Sequence, residues 1–334
     1  MMKKRQALAA LGTLAAGTLL PSMTMAAEAA VAYPSRIVKI VVPLSAGGGV
    51  DAIARKVGEK TAPILGKQPL IVDNKPGASG TLGVDAAAKA QPDGYTLVLT
   101  AGSTIAVNPH VLKRIPYDTD KDITPVVQIG TTPLVLLVNA NNPAKDLKEF
   151  IANAKAKPKD ANFGSYGNAT VGHLLGEALN KAASIQMAHI PYKGSAPAIT
   201  DLIGGNVQAV IADFGSARAQ MSAGGKLRAL AVSGAKRQSS FPNVPTFTEQ
   251  GYASLEGMGG WLGVFAPSKT PKDIVDKIAG AMSQALKSDD LKAAMSELGY
   301  EATGTPTDKF AVIVKQDTER WGAVIKSIGG ITLD

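Results

Sequence analysis

The segment with the clearest chemical potential is Val42-Pro43-Leu44-Ser45-Ala46-Gly47-Gly48-Gly49-Val50-Asp51. It follows a short β-branched run and opens a helical pattern. Three glycines allow a tight turn and leave main-chain N–H groups uncovered. The start of a helix adds a partial positive charge there. Leu44, Ser45, Ala46, Gly47 and Gly48 therefore read as an anion cradle that needs no cationic side chain. Asp51 is placed to cap the helix. The same residues match a dinucleotide fingerprint, Gly47-x-Gly49-x-x-Ala52 with Asp73 ending the next strand, so a nicotinamide- or flavin-linked enzyme stands as the alternative. Against it, the charge of Asp51 would repel a pyrophosphate at that helix start.

A second segment of this kind is Gly164-Ser165-Tyr166-Gly167-Asn168-Ala169-Thr170, again between a strand and a helix. Ser165, Tyr166, Asn168 and Thr170 offer neutral hydrogen bonds to a carboxylate; a helix cap alone is the competing use of Thr170. Thr100, Ser103 and Thr104 follow an apolar strand. So do Asp213 and Phe214. In an open α/β sheet, loops after strand C-termini line the ligand crevice. Tyr192 and Lys193 follow the strand that carries His189, a histidine whose apolar setting also suits a structural role. His173 and Glu177 share a helix face, but two ligands make a weak metal site.

The elements that position these loops alternate along the chain. Strand-like runs at 37–42, 70–72 and 95–100 are separated by helical patterns at 50–65 and 83–90. That order predicts a parallel sheet flanked by helices. Residues 125–138 hold two apolar runs split by Gly130-Thr131-Thr132-Pro133, read as a crossing into a second lobe. There, helices are expected at 147–156, 171–182 and 197–204, and strands at 162–166, 187–190, 207–212 and 227–232. Residues 236–251 read as a connecting loop and 259–267 as a further apolar strand. Two helices, 271–287 and 307–325, close the chain. They need a surface to pack on, which the first lobe supplies. The expected division is 1–26 leader, 27–130 first lobe, 131–250 second lobe and 251–334 return to the first. The fold class is α/β and two-lobed, each lobe a mostly parallel sheet with helices, and a ligand cleft between them.

Composition narrows the function. Met1-Met2-Lys3-Lys4-Arg5, an apolar stretch at 7–20 and Thr24-Met25-Ala26 form a secretory leader with a small-x-small cleavage site. The net charge is +8, and losing Lys3, Lys4 and Arg5 leaves a modest positive balance that favours anionic ligands. Aromatics make up only 5% of residues and are not interleaved with a basic stripe, which argues against nucleic-acid binding. With Cys 0, disulfides, thiol chemistry and a lipidated-cysteine anchor are excluded. No Gly-x-Ser-x-Gly elbow, His-Glu-x-x-His or phosphate loop occurs. No catalytic residue, metal or cofactor is expected.

These segments, in this order, resemble the solute-binding receptors of tripartite tricarboxylate transporters, the Bug-type receptors. The likeness runs over nearly the whole chain after the leader. It is carried by Tyr33-Pro34, Val42-Pro43 with Ala46-Gly47-Gly48 and Asp51, Asp73-Asn74-Lys75-Pro76-Gly77-Ala78 and Pro92-Asp93-Gly94-Tyr95-Thr96-Leu97. Asn108-Pro109, Pro116-Tyr117-Asp118, Pro191-Tyr192-Lys193-Gly194 and Leu227-Arg228-Ala229-Leu230-Ala231-Val232 continue it. Pro242-x-Val244-Pro245-Thr246, Trp261, Ala266-Pro267 and Thr270-Pro271 complete it. The resemblance implies a periplasmic-binding-protein-like (type II) fold that closes on a small carboxylate in the periplasm. It further implies a monomer that hands its ligand to membrane transporter subunits. A ligand-loaded sensor shares every pocket feature. The implied holders are the loop at 44–48, the loop at 165–170 and Asp213, through backbone groups and ordered water. The chain departs from the usual pattern at Leu44-Ser45-Ala46 and at 166–173, both within the expected pocket.

Overall fold

A computed structural model describes residues 33–221, 224–238 and 241–333. The expected leader at 1–26 lies outside the described residues. The first sheet is built from β1 (Val38–Val42), β2 (Leu70–Asn74), β3 (Thr96–Ala101), β4 (Ile123–Thr132), β10 (Gly260–Pro267) and β11 (Glu301–Thr305). Its strand order is β11-β4-β10-β3-β1-β2. The second contains β5 (Leu134–Asn139), β6 (Asn162–Ser165), β7 (Ala188–Pro191), β8 (Ala209–Asp213) and β9 (Leu227–Val232), ordered β7-β6-β8-β5-β9. The fold is therefore two-lobed α/β, as the alternation of strands and helices implies.

The sheets are mixed rather than mostly parallel. Parallel pairing holds where helices cross between strands: β1 with β2 and β3, and β6 with β7 and β8. The strands next to the crossings, β4, β5, β9 and β10, pair antiparallel. An apolar run fixes that a segment is a buried strand, not which way it points.

Helices α1 (Gly49–Leu65), α2 (Thr81–Ala88), α8 (Lys272–Ala285) and α9 (Asp289–Glu297) belong with the first sheet. Ile53, Ala54 and Val57 of α1 lie in one core with Val38, Ile40, Leu97 and Val264, which fixes the end of α1 that follows the glycine loop. Helices α4 (Leu147–Ala156), α5 (Val171–Ala183), α6 (Ser195–Gly204) and α7 (Phe214–Met221) serve the second sheet, while the short α3 (Asn108–Val111) follows a π-helical turn at Ser103–Val107. The last helix, α10 (Thr307–Ser327), serves both lobes. Its Phe310 packs edge-on to Trp261, with ring centroids 5.2 Å apart, in a first-sheet cluster. Its Trp321 and Ile325 enter the core that holds Leu136, Leu174 and Ile211 of the second lobe. Between these ends Asp317 accepts a 2.6 Å hydrogen bond from Trp261 Nε1.

Candidate functional site

The loop after β1 is held by a charged knot. Asp51 is 4% exposed. It accepts hydrogen bonds from the Gly47 N–H at 2.9 Å, Arg55 Nε at 3.1 Å and Asn74 Nδ2 at 3.0 Å. Asn74 also donates to the Leu44 carbonyl at 3.0 Å. The Arg55 guanidinium, then the Gly47 N–H, hold the Asp51 carboxyl at about 2, against the pull of burial. Asp51 thus stitches the loop to its own helix, and the Gly47 amide is spent internally. Arg55 balances the Asp51 charge. The helix start keeps its own partial positive charge, with first amides that no helix can satisfy from within. Leu44, Ser45, Ala46, Gly47 and Gly48 are all exposed.

Two further loops of the first sheet meet this one. Gly80, at φ 87°, comes so close that a methyl group there would lie 3.1 Å from Thr104 and 3.4 Å from Pro43. Thr104 is therefore brought beside the first loop, and its carbonyl accepts from Tyr117 Oη at 3.3 Å. Thr100 is 1% exposed and lies within the sheet; Ser103 opens the π-helical turn half-buried.

In the second lobe much of the expected chemistry is spent on the scaffold. Ser165 is fully buried; its Oγ donates to the Gly167 carbonyl at 3.0 Å and lies 2.8 Å from His189 Nε2. Tyr166 Oη accepts from the Gly172 N–H at 3.0 Å. Thr170 caps α5 by accepting from the His173 N–H and donates to the Gly167 carbonyl at 2.7 Å. His173 Nδ1 accepts from the Ala169 N–H, and its ring stacks on His189 at 3.7 Å and 10°. Burial lowers both imidazoles to about 4, His173 further disfavouring charge on His189. His173 Nε2 lies 3.8 Å from Glu177. Asn168 is exposed at the loop tip. The His189 ring is thus engaged by Ser165 and by the His173 ring.

Asp213 ends β8 and accepts from Ser195 Oγ at 2.6 Å, Ser216 Oγ at 2.9 Å and the Ser216 N–H at 2.8 Å. It caps α7 and is held in place by a serine on α6. Phe214 is 3% exposed and stacks edge-on to Phe241. It also touches a 410 Å³ cavity whose lining includes Gly299 and Tyr300. Tyr192 Oη donates to Asp201 at 2.7 Å, and its N–H to the Ser165 carbonyl.

The two lobes meet at these loops. Burial raises the Tyr166 phenol, with added repulsion from Asp213. Burial, then the same carboxylate, pushes Tyr300 up to about 12. Tyr300 belongs to the first lobe, so both sides sense one carboxylate. Sequence reasoning missed Arg55, Asn74, Ser195 and the Leu298-Gly299-Tyr300 turn. Arg55 was legible as an i,i+4 partner of Asp51, and Asn74 lay in a motif read only as a turn. Nothing in the spacing placed Ser195 or Tyr300 near Asp213.

The sequence pattern of the tripartite tricarboxylate transporter receptor family matches residues 53–330. The chain belongs to that family. BugT of Bordetella pertussis is 34% identical to this receptor over 298 residues, 89% of this chain and 90% of BugT. An R. palustris protein solved with adipate is 31% identical, covering 90% of this chain and 100% of its own, with a TM-score of 0.75. MatC from Rhodopseudomonas palustris with bound malate is 31% identical, covering 87% of this receptor and 99% of its own chain, with a TM-score of 0.70. The family and these neighbours are solute-binding proteins. Among the described residues of the receptor, no helix is long and apolar enough to cross a membrane.

Proposed function

We propose that this receptor works in the periplasm, reached through the leader at 1–26. There it captures one small carboxylate between its lobes and passes it to transporter subunits in the membrane. The observation that carries this reading is the knotted glycine loop. Asp51, Arg55 and Asn74 hold 44–48 through the protein's own bonds. A preorganised loop loses little conformational entropy on binding. Amides at the α1 start then donate to the carboxylate, with no cation needed. On the opposite side stand the 165–170 loop and Asp213, the latter suited to a ligand hydroxyl, amine or water. The adipate and malate neighbours support the ligand class, since their sequences align with nearly all of this chain.

Closure follows from the same contacts. A ligand touching both lobes makes its full set of bonds only when they are shut, so binding shifts the population towards that state. The proposed activity leaves the ligand chemically unchanged. Thermal melts of the purified receptor with mono-, di- and tricarboxylates test the reading. At least one acid should raise the melting temperature in a concentration-dependent way. A folded sample that no member of the panel stabilises contradicts it.

A further inference from the structure

The turn after α9 is the strongest feature that the pocket reading has not absorbed. Leu298, Gly299 and Tyr300 join α9 to β11 in the first lobe. Gly299 is buried, at φ 80°, against the first turn of α7 in the second lobe. A methyl group on Gly299 would lie 2.5 Å from the Gly215 amide nitrogen. One on Gly215 would lie 2.8 Å from the Leu298 carbonyl oxygen. The two main chains touch, and only glycine at both positions allows it. The Leu298 side chain, 38% exposed, reaches the α1 start, where a methyl on Gly49 would meet it at 3.9 Å. Tyr300 lines one cavity with Phe214, the residue after Asp213. One turn thus reaches the α1 start, the α7 start and the Asp213 region.

We propose that the Leu298-Gly299-Tyr300 turn is a third wall of the ligand cleft, with Leu298 as a specificity-determining residue and the Gly215–Gly299 contact as the seat that lets the cleft shut. This rests on the carboxylate-receptor reading. Leu298 lays apolar surface beside the carboxylate-holding amides. It shields them from water, which strengthens their bonds to the ligand. It also favours acids whose chain continues as methylenes over acids that present a polar group there. Gly215 and Gly299 set how closely the lobes approach, and so whether ligand contacts on both sides are made together.

The test uses calorimetry of the full receptor with adipate and malate, together with small-angle scattering. Leu298→Asp puts a like charge at the α1 start and should weaken carboxylate binding at least about tenfold. Leu298→Asn should chiefly lower the adipate-to-malate affinity ratio. Gly215→Ala drives a methyl group to 2.8 Å from the Leu298 carbonyl oxygen and so should hold the lobes apart: the variant should stay folded by circular dichroism, yet bind at least about tenfold more weakly and fail to contract with ligand. Gly251→Ala is the control for glycine loss at positive φ: its φ is 90° and nothing lies within 4 Å, and its affinity should be unchanged. If wild type binds a probe while the Leu298 and Gly215 variants match it within about twofold, the third wall falls and the receptor reading stands. If wild type binds neither acid nor any other carboxylate, both fall.

Discussion

Replacing Asp51 by asparagine tests whether the knot at 44–48 is built on charge. The carboxyl is 4% exposed and accepts from Gly47, Asn74 and Arg55. Its pKa falls from 3.8 to about 2 on folding. That difference corresponds to about 2 kcal/mol favouring the folded state at neutral pH. The sign follows from the lowered folded value. The contribution is complete above the unfolded pKa and fades as pH falls from about 4 towards 2. The amide of the Asp51→Asn variant cannot titrate, so the stability gap between wild type and variant should be about 2 kcal/mol at pH 7 and roughly half that at pH 3. Urea unfolding at both pH values, followed by circular dichroism, measures the gap, and other titrating groups cancel in the difference. Equal stability at pH 7, or a gap that does not change with pH, refutes the claim that an ionised Asp51 holds the loop.

Other expectations follow from the same contacts. Gly48→Glu places a like charge at the α1 start and should abolish carboxylate binding by calorimetry while leaving the melting temperature within a few degrees; retained affinity puts the site elsewhere. Because burial lowers His173 and His189 to about 4, the unfolded chain binds more protons between there and about 6.5. Stability should therefore be complete above about pH 6.5 and decline as pH falls towards 4; His189→Gln should flatten that slope in pH-dependent melts. A methyl at Gly176 would lie 2.1 Å from the buried Phe163 ring, so Gly176→Ala should cost about 1–3 kcal/mol by overpacking, despite better helix propensity. Asp317→Asn weakens the bond from Trp261 that ties α10 between its two packed ends and should lower the urea midpoint; an unchanged midpoint argues that α10 needs no such tie.

The two-lobed alternation and the glycine-rich strand-to-helix loops were legible because both are local. Periodicity marks a helix, and glycine at a strand end marks a turn. The direction of β4, β5, β9 and β10 was not, since an apolar run reads alike in both senses. β11 escaped notice because Glu-Ala-Thr-Gly-Thr has no apolar alternation; it is a strand through its pairing with β4. The helix before it, α9, hides inside a polar tail, and only Leu291 and Met295 are buried. The sequence showed Ser165 at a strand-to-helix loop, but not that its hydroxyl is committed to Gly167 and His189. That commitment depends on β7 lying beside β6, a contact 24 residues distant along the chain. Phe214 likewise read as a loop residue, whereas Phe241 draws it into the core.

The central claim is that main-chain amides at the α1 start, aided by the second-lobe loop, grip the carboxylate. Nitrogen-15 NMR titration of the receptor with adipate reads those amides one by one. Saturable shifts concentrated at Gly48, Gly49 and Val50, with Asn168 and Val171 responding at the same ligand concentration, are the predicted result. Saturable binding that leaves these amides unmoved, with the shifts gathered elsewhere, contradicts it.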